Sequence, residues 1–160
     1  MGTVCADAFS PVKEIRRVDY QESFESTAKA ELGVARRLAA QGDYWSAVYH
    51  CQQAAEKMTK AVLFKNRIIE MKEHVISGLF SSRILRQRRS KELTRVYRYL
   101  VRLESHINKA RYPVREADEI IPPMERYGAR DAADAIAQAE FIIVTLQKLL
   151  DEPTPSETAI

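Results

Sequence analysis

Apolar residues recur at helical spacing along most of this chain, starting near Tyr20. The first segment ends at Gly42 and places its apolar residues three or four positions apart, at Phe24, Ala28, Leu32, Ala35 and Leu38. Glycine is favoured just after a helix and aspartate just before one, so Gly42 and Asp43 predict a helix end followed at once by a helix start. So short a turn makes the two helices antiparallel neighbours.

The second helix, predicted over Tyr44–Lys65, carries the most regular pattern in the chain. Its apolar stripe comprises Tyr44, Ala47, Val48, Cys51, Ala54, Ala55, Met58, Ala61 and Val62. The opposite face is polar and holds His50, Gln53, Lys57 and Lys60. The period is lost over residues 66–74, which predicts a loop, and a shorter helix is predicted over residues 75–87.

Two further helices follow. Ser90 is a predicted N-cap for a helix that carries Leu93, Val96, Leu100, Leu103 and Ile107 and ends at Arg111, Tyr112 and Pro113. After a loop with Pro122, Pro123 and Gly128, Asp131 is the predicted cap of a last helix. Its stripe comprises Ile136, Ala139, Ile143, Leu146 and Leu150.

These elements predict an all-α fold, an antiparallel up-and-down bundle of four main helices plus one short helix. We predict a partly disordered leader over residues 1–19, the bundle over residues 20–151 and a flexible tail over residues 152–160. The last helix is apolar on nearly all sides between Phe141 and Leu146. Such a helix either lies centrally in the bundle or contributes to a subunit interface, so we expect a dimer.

Composition narrows the class of protein. Of the 160 residues, 46% are hydrophobic and 29% charged, which is typical of a globular domain. No apolar run is long enough to cross a bilayer, which predicts a cytoplasmic protein without membrane contact. Cys5 and Cys51 have no metal-ligand spacing and are interpreted as free thiols. The sequence contains no phosphate-binding glycine loop, zinc-ligand quartet or nucleophile elbow, so we predict no cofactor and no metal.

The net charge of +3 is mild, but its distribution is uneven. On the fourth predicted helix, spacings of three and four put five side chains in one row: Arg95, Arg98, Arg102, His106 and Lys109. Such a row can bind a phosphate backbone. The alternative is a solvated face whose cations pair with Glu92, Glu104 or a neighbouring helix.

Within this row, Arg102 and His106 are the candidate catalytic residues. An imidazole can transfer a proton near neutral pH, and an arginine one turn away can stabilise the charge of a phosphorane, so together they can cleave RNA. A structural or merely exposed histidine is the alternative. His50 and His74 have no carboxylate pair at metal-ligand spacing, and His74 is interpreted as a helix-start residue.

The chain resembles the HEPN domain (higher eukaryotes and prokaryotes nucleotide-binding) in its small stand-alone form. The resemblance spans about residues 24–150 and rests on five blocks in order: GDYWSA at 42–47, QQAAEK at 52–57 with KAVL at 60–63, His74, ARYP at 110–113, and Asp131-Ala132 opening an apolar helix.

The resemblance implies a bundle of four or five helices that forms a homodimer with a groove between protomers. It also implies a minimal nucleotidyltransferase as partner, in a pair that behaves like a toxin and its antitoxin. Many members are metal-independent ribonucleases in which four to six residues separate an arginine from a histidine. Here three residues separate Arg102 from His106 and seven separate Arg98 from His106, so neither pair has that spacing.

The arginine-tyrosine-proline motif is typical of members that bind a nucleotide or a partner. Pro113 would hold Arg111 and Tyr112 at the helix end, where the guanidinium can bind phosphate and the ring can stack on a base. Three hypotheses therefore stay open. The first is a homodimeric partner of a nucleotidyltransferase that binds nucleotide or RNA, the second is a metal-independent endoribonuclease, and the third is a helical scaffold without a nucleic-acid role.

Overall fold

The computed structural model describes residues 17–68 and 72–154. Its helices are α1 (Arg17–Ala40), α2 (Tyr44–Lys65), α3 (Ser77–Phe80), α4 (Lys91–Glu104), α5 (Pro123–Arg126) and α6 (Ala129–Asp151). A π-helical turn (Ser81–Leu85) continues α3, and an antiparallel hairpin of β1 (Val114–Glu116) and β2 (Glu119–Ile121) lies between α4 and α5. The predicted all-α fold is confirmed, with α1, α2, α4 and α6 as the four main helices. No helix among the described residues is long and apolar enough to span a membrane.

The turn between α1 and α2 has the predicted form. Gly42 adopts a positive φ of 86°, its N–H donates to the Ala39 carbonyl, and the Asp43 N–H donates to the Leu38 carbonyl. These two bonds make a Schellman motif, which satisfies carbonyls at the end of α1. Asp43 is the N-cap residue of α2, although its side chain makes no capping hydrogen bond. The motif ends α1 and starts α2 within three residues.

The core forms where α2 and α6 pack against each other and against α1 and α4. Ile142, Ile143 and Leu146 are buried within the bundle, and Val144 is the apolar residue of this segment that is largely exposed. The apolar surface of α6 therefore matches a central position in the bundle, and dimerisation stays a prediction. Cys51 lies in this core as a free thiol, and burial raises its pKa to about 12.

A buried polar row that includes Lys60 runs along α2. Lys60 is only 3% exposed, and its Nζ donates to Glu56 Oε1 at 2.8 Å. Gln52 Nε2 donates to Glu56 Oε2 at 3.0 Å, and His74 Nδ1 lies 3.2 Å from Glu56 Oε1. The face of α2 opposite the apolar stripe is therefore partly buried, and His74, from the segment before α3, contacts it at Glu56. His74 itself lies in a loop before α3 and does not start the helix.

Helix α4 begins as predicted, with Ser90 Oγ accepting a hydrogen bond from the Leu93 N–H at 3.0 Å. It ends at Glu104, well before the predicted end at Pro113. From Ser105 to Ile107 the N–H groups bond to carbonyls three residues back, although Ser105 also bonds to Val101, and Ser105 Oγ donates to the Arg102 carbonyl. The chain thus tightens into consecutive turns, which place His106 and Lys109 beyond the regular helix.

Three other predicted boundaries differ from the structure. Helix α1 already includes residues 17–19, which were assigned to the leader, while residues 1–16 and the tail residues 155–160 lie outside the described residues. Helix α6 starts two residues before Asp131, with Gly128 as its N-cap residue. Asp131 stabilises that start from the third position, since its Oδ2 accepts the Gly128 N–H at 2.8 Å. The hairpin after Pro113 was not predicted.

Candidate functional site

A surface cavity of about 190 Å³ lies between the end of α4 and the first half of α6. It is lined by Arg102, Ser105, His106, Asp131, Asp134, Ala135 and Gln138. The two candidate catalytic residues therefore face one cavity, although the turns that follow Glu104 change the geometry from that of a continuous helix. The cavity combines a guanidinium, an imidazole and two carboxylates.

His106 is fixed by a tyrosine from the segment before α6. Its Nδ1 lies 2.8 Å from the hydroxyl of Tyr127, and the two rings meet edge to face with centroids 5.4 Å apart. Burial lowers the pKa of His106, the positive charges of Lys109 and Arg126 lower it further, and Asp131 acts in the opposite direction. The imidazole is therefore mainly neutral at pH 7, the state in which it can accept a proton.

Tyr127 is protonated at neutral pH, as tyrosine ordinarily is, and burial raises the pKa of its hydroxyl further, to about 12. A protonated hydroxyl can donate to Nδ1 of His106, and Nε2 of the neutral imidazole then carries the proton. Alternatively the hydroxyl accepts from Nδ1, and Nε2 is then free to act as a base. Either way the hydroxyl fixes the orientation of the imidazole.

The opposite wall of the cavity is acidic. Asp134 is exposed, and Asp131 uses one oxygen to bind the Gly128 N–H. Neither carboxylate lies within 4 Å of Arg102 or of any other cation of the described residues. A ligand in this cavity can thus place a phosphate near Arg102 and ribose hydroxyls or base amino groups near the aspartates.

The predicted cationic row is only partly formed. Arg95, Arg98 and Arg102 are exposed on α4. Within the described part of the chain no carboxylate lies within 4 Å of these three guanidinium groups. The proposed pairing with Glu104 does not form, because its carboxylate accepts hydrogen bonds from the N–H groups of Ile76 and Ser77 and from the Ser77 hydroxyl.

Arg95 and Arg98 line a separate open groove of about 440 Å³ at the start of α4, together with Arg89, Ser90, Lys91 and Thr94. Every side chain in this groove is cationic or carries a hydroxyl. Such a lining can bind phosphate oxygens, because it supplies positive charge and hydrogen-bond donors without a competing carboxylate.

The arginine-tyrosine-proline residues lie against α2. The Arg111 Cζ atom is 5.1 Å from the Tyr112 ring centroid and 5.9 Å from that of Tyr49, so the guanidinium contacts both rings. Tyr112 remains 52% exposed. Neither Arg111 nor Tyr112 lines the cavity of His106, and Lys109 acts on that histidine through its charge. Phosphate binding by Arg111 and base stacking by Tyr112 stay predictions.

The other two histidines contact glutamate carboxylates of other segments. His50 Nδ1 lies 2.6 Å from Glu31 Oε2, and Lys57 donates to the other oxygen of that carboxylate at 2.8 Å. His74 contacts Glu56. Among residues 17–68 and 72–154, no group of three histidine, cysteine, aspartate or glutamate side chains is placed to hold a metal ion.

Sequence reasoning missed three contributors to this region. Tyr127 lies within the loop that was predicted around Pro122, Pro123 and Gly128, and it carries no local signal of its contact with His106. Asp134 falls on the polar face of a long helix, where an acidic residue is ordinary. Phe141, which contacts Tyr99 and Arg95, was interpreted only as part of an apolar segment.

Comparisons with known proteins agree with this architecture. A protein of Methanocaldococcus jannaschii named "Putative toxin MJ1304" is 32% identical over 139 residues, which cover 84% of this chain and 91% of that protein. The crystal structure of ST0689, described as an archaeal HEPN homologue, has a TM-score of 0.66 at 26% identity, covering 86% of this chain and all of that one.

The crystal structure of TT1696 from Thermus thermophilus has a TM-score of 0.68 at 22% identity, covering 81% of this chain and 97% of that one, and so shares the fold. The HEPN domain model matches residues 21–149, which is most of the chain and nearly all of the bundle. This chain therefore belongs to the HEPN domain family.

Proposed function

We propose that this chain is a HEPN binding protein that holds a nucleotide or RNA on the side of α4 that faces α6. The observation that carries the proposal is the set of three exposed arginines on α4, Arg95, Arg98 and Arg102, that have no carboxylate within 4 Å among the described residues. The cavity of His106 adjoins the last of them. Unneutralised guanidinium groups on one helix face attract phosphate and release its counterions on binding.

The cellular role that we propose is that of one member of a toxin-antitoxin-like pair. It is supported by membership of the HEPN family and by the 32% identical relative that is named as a toxin. By the family resemblance, the protein forms a homodimer and its partner is a minimal nucleotidyltransferase. Light scattering at micromolar concentration tests the dimer, and co-purification with the product of an adjacent nucleotidyltransferase gene tests the pair.

A metal-independent endoribonuclease is the second candidate, because Arg102 and His106 face one cavity and a tyrosine fixes the imidazole. A neutral histidine there can take a proton from a ribose 2′-hydroxyl while Arg102 stabilises the charge that develops on the phosphate. The spacing of these two residues departs from the family ribonuclease pattern, which is why binding is the preferred proposal.

One experiment separates these functions. The purified chain is incubated with labelled RNA in EDTA at low salt, and binding and cleavage are measured for the wild type, Arg102→Ala, His106→Ala and the control Arg37→Ala. Arg37 is an exposed arginine of α1, so its removal changes the net charge equally. We expect binding without cleavage, weakened by Arg102→Ala and unchanged by Arg37→Ala.

Other outcomes support the alternatives. Cleavage that persists in EDTA and disappears in His106→Ala would establish the ribonuclease. A wild type that binds neither RNA nor nucleotides, even at low salt, would overturn both nucleic-acid functions and leave the scaffold.

A further inference from the structure

Two of the exposed arginines on α4 are held in place by aromatic rings. The Arg95 Cζ atom lies 5.2 Å from the Phe141 ring centroid, and the Arg102 Cζ atom lies 5.8 Å from that of Tyr99. The rings of Tyr99 and Phe141 meet edge to face, with centroids 5.5 Å apart and an interplanar angle of 85°. These four residues form an arginine–aromatic ladder that joins α4 to α6.

The ladder differs physically from the arginine–carboxylate contacts of the bundle. Arg36, Arg88 and Arg126 each contact a carboxylate, which neutralises them. A ring face attracts a guanidinium without neutralising it, and it leaves the N–H groups at the rim free to bind another partner. The ladder therefore favours one position for each of the two cations and keeps their charge available.

The ladder also connects two sites that are otherwise separate. Arg95, at one end, lines the groove that contains Arg89, Lys91 and Arg98. Arg102, at the other end, lines the cavity of His106. The two ladder arginines are seven residues apart on one helix, which corresponds to a rise of about 10 Å. A continuous cationic track thus runs from the start of α4 to the cavity.

We infer that this track binds the sugar-phosphate backbone of an RNA strand, so that the preferred ligand is an oligonucleotide of several residues and not a mononucleotide. The inference rests on the proposed function and specifies its ligand. From Lys91 to Arg102 the helix rises about 16 Å, and a stacked strand advances about 3.4 Å per phosphate. The track therefore accommodates about five phosphates, with one end of the strand at the cavity.

Fluorescence anisotropy with single-stranded RNA of one, two, four, six and twelve nucleotides tests this inference. The expected affinity of the wild type rises steeply up to about six nucleotides and then changes little. At six nucleotides we expect Arg95→Ala to weaken binding on the order of fivefold and to reduce the slope of log affinity against log salt by about 0.7, which is one phosphate contact with a single strand. Arg37→Ala, a matched loss of charge on α1, is expected to leave affinity and slope unchanged.

Phe141→Leu tests the ring separately from the charge. It keeps Arg95 and most of the apolar contact but removes the aromatic face, so we expect weaker binding of the six-residue strand with the salt slope nearly unchanged. Arg95→Ala concerns an exposed side chain and keeps the test valid if Phe141→Leu does not fold, which circular dichroism would show.

The outcomes distinguish this inference from the proposed function. Equal affinity for one and six nucleotides, with binding still weakened by Arg102→Ala, would overturn the track and keep nucleotide binding at the cavity. An Arg95→Ala variant that behaves like Arg37→Ala would also overturn the track. Preference for a duplex of the same length over the single strand would contradict the single-strand assignment, and no binding of any RNA or nucleotide would overturn both proposals.

Discussion

The hydroxyl of Tyr127 lies 2.8 Å from Nδ1 of His106, across 21 positions of sequence. This contact joins the turns after α4 to the segment that leads into α6, and it orients the ring in the cavity that Arg102 also lines. The histidine of the candidate site is thus positioned by a residue that is itself buried, with only 7% of its surface exposed.

The first prediction concerns the protonation of His106. Burial and the neighbouring cations lower its pKa below the ordinary value of 6.5, so we expect its NMR titration midpoint below 6.5. The unfolded chain then binds the proton more readily than the fold does. The contribution of His106 to stability is therefore complete above pH 6.5 and declines as the pH falls from 6.5 to the lowered pKa, below which it is constant. In urea unfolding across this pH range, the free energy of unfolding of His106→Asn should lack this pH-dependent contribution. A pH profile identical to that of the wild type would contradict the prediction.

The second prediction concerns the hydroxyl that holds His106. Tyr127→Phe keeps the buried ring but removes the hydrogen bond, so we expect a loss of about 1 kcal/mol in the free energy of unfolding. Tyr112→Phe removes a hydroxyl from a ring that is 52% exposed and is expected to change stability very little. Urea denaturation measures both. Equal stability of the two variants would indicate that the contact to His106 contributes nothing to the fold.

The third prediction compares two glutamate–lysine pairs with the same helical spacing. Glu56 and Lys60 are buried, whereas the pair of Glu25 and Lys29 lies at the surface. Glu56→Ala removes the carboxylate that contacts Lys60, Gln52 and His74, so we expect a loss of about 3 kcal/mol. Glu25→Ala should cost less than about 1 kcal/mol. Similar losses in thermal or urea unfolding would contradict the assignment of Glu56 to the interior.

The fourth prediction uses two glycines with opposite conformational roles. Gly42 has a φ of 86° and Gly78 is helical, and an added Cβ would meet no atom within 4 Å at either position. The change in stability on replacing either glycine with alanine therefore depends on backbone preference alone. Gly42→Ala should destabilise the fold by about 1 kcal/mol, and Gly78→Ala should stabilise it by up to about 1 kcal/mol. Changes of the same sign would show that contacts, and not backbone preference, control these positions.

The helices that contribute to the core were the easiest part of the fold to predict. Ala28, Leu32 and Ala35 in α1 are buried as their spacing indicates, and the stripe of α2 forms the centre of the bundle. The end of α4 could not be predicted in the same way. Ile107 continues the apolar spacing of that helix, although the helix ends at Glu104 and Ile107 is only partly buried.

The polar parts of the candidate site were predicted less completely. The sequence pointed to Arg102 and His106, and the structure places both at one cavity, while their catalytic role stays a prediction. Tyr127 and Asp134 could not be identified, because Asp134 lines the cavity and Tyr127 contacts His106 only through the packing of distant segments. Local spacing carries no information about contacts between distant segments.

Lys60 illustrates the same limit in the core. Its position on α2 falls on the face that the sequence marks as polar, and a lone lysine there is normally exposed. The residue is nevertheless buried, and Glu56, which also contacts His74, supplies the opposite charge. A helical pattern shows which residues share a face and leaves open what covers that face.

Because Cys51 is buried, the reactivity of its thiol reports how often the helical bundle opens. Thiol reagents attack the thiolate, and a side chain with no exposed surface and a pKa of about 12 supplies almost none of it. Alkylation of Cys51 must therefore wait until α2 separates from its neighbours, so in a chain with Cys5 replaced by serine the rate of labelling measures how often the bundle comes apart.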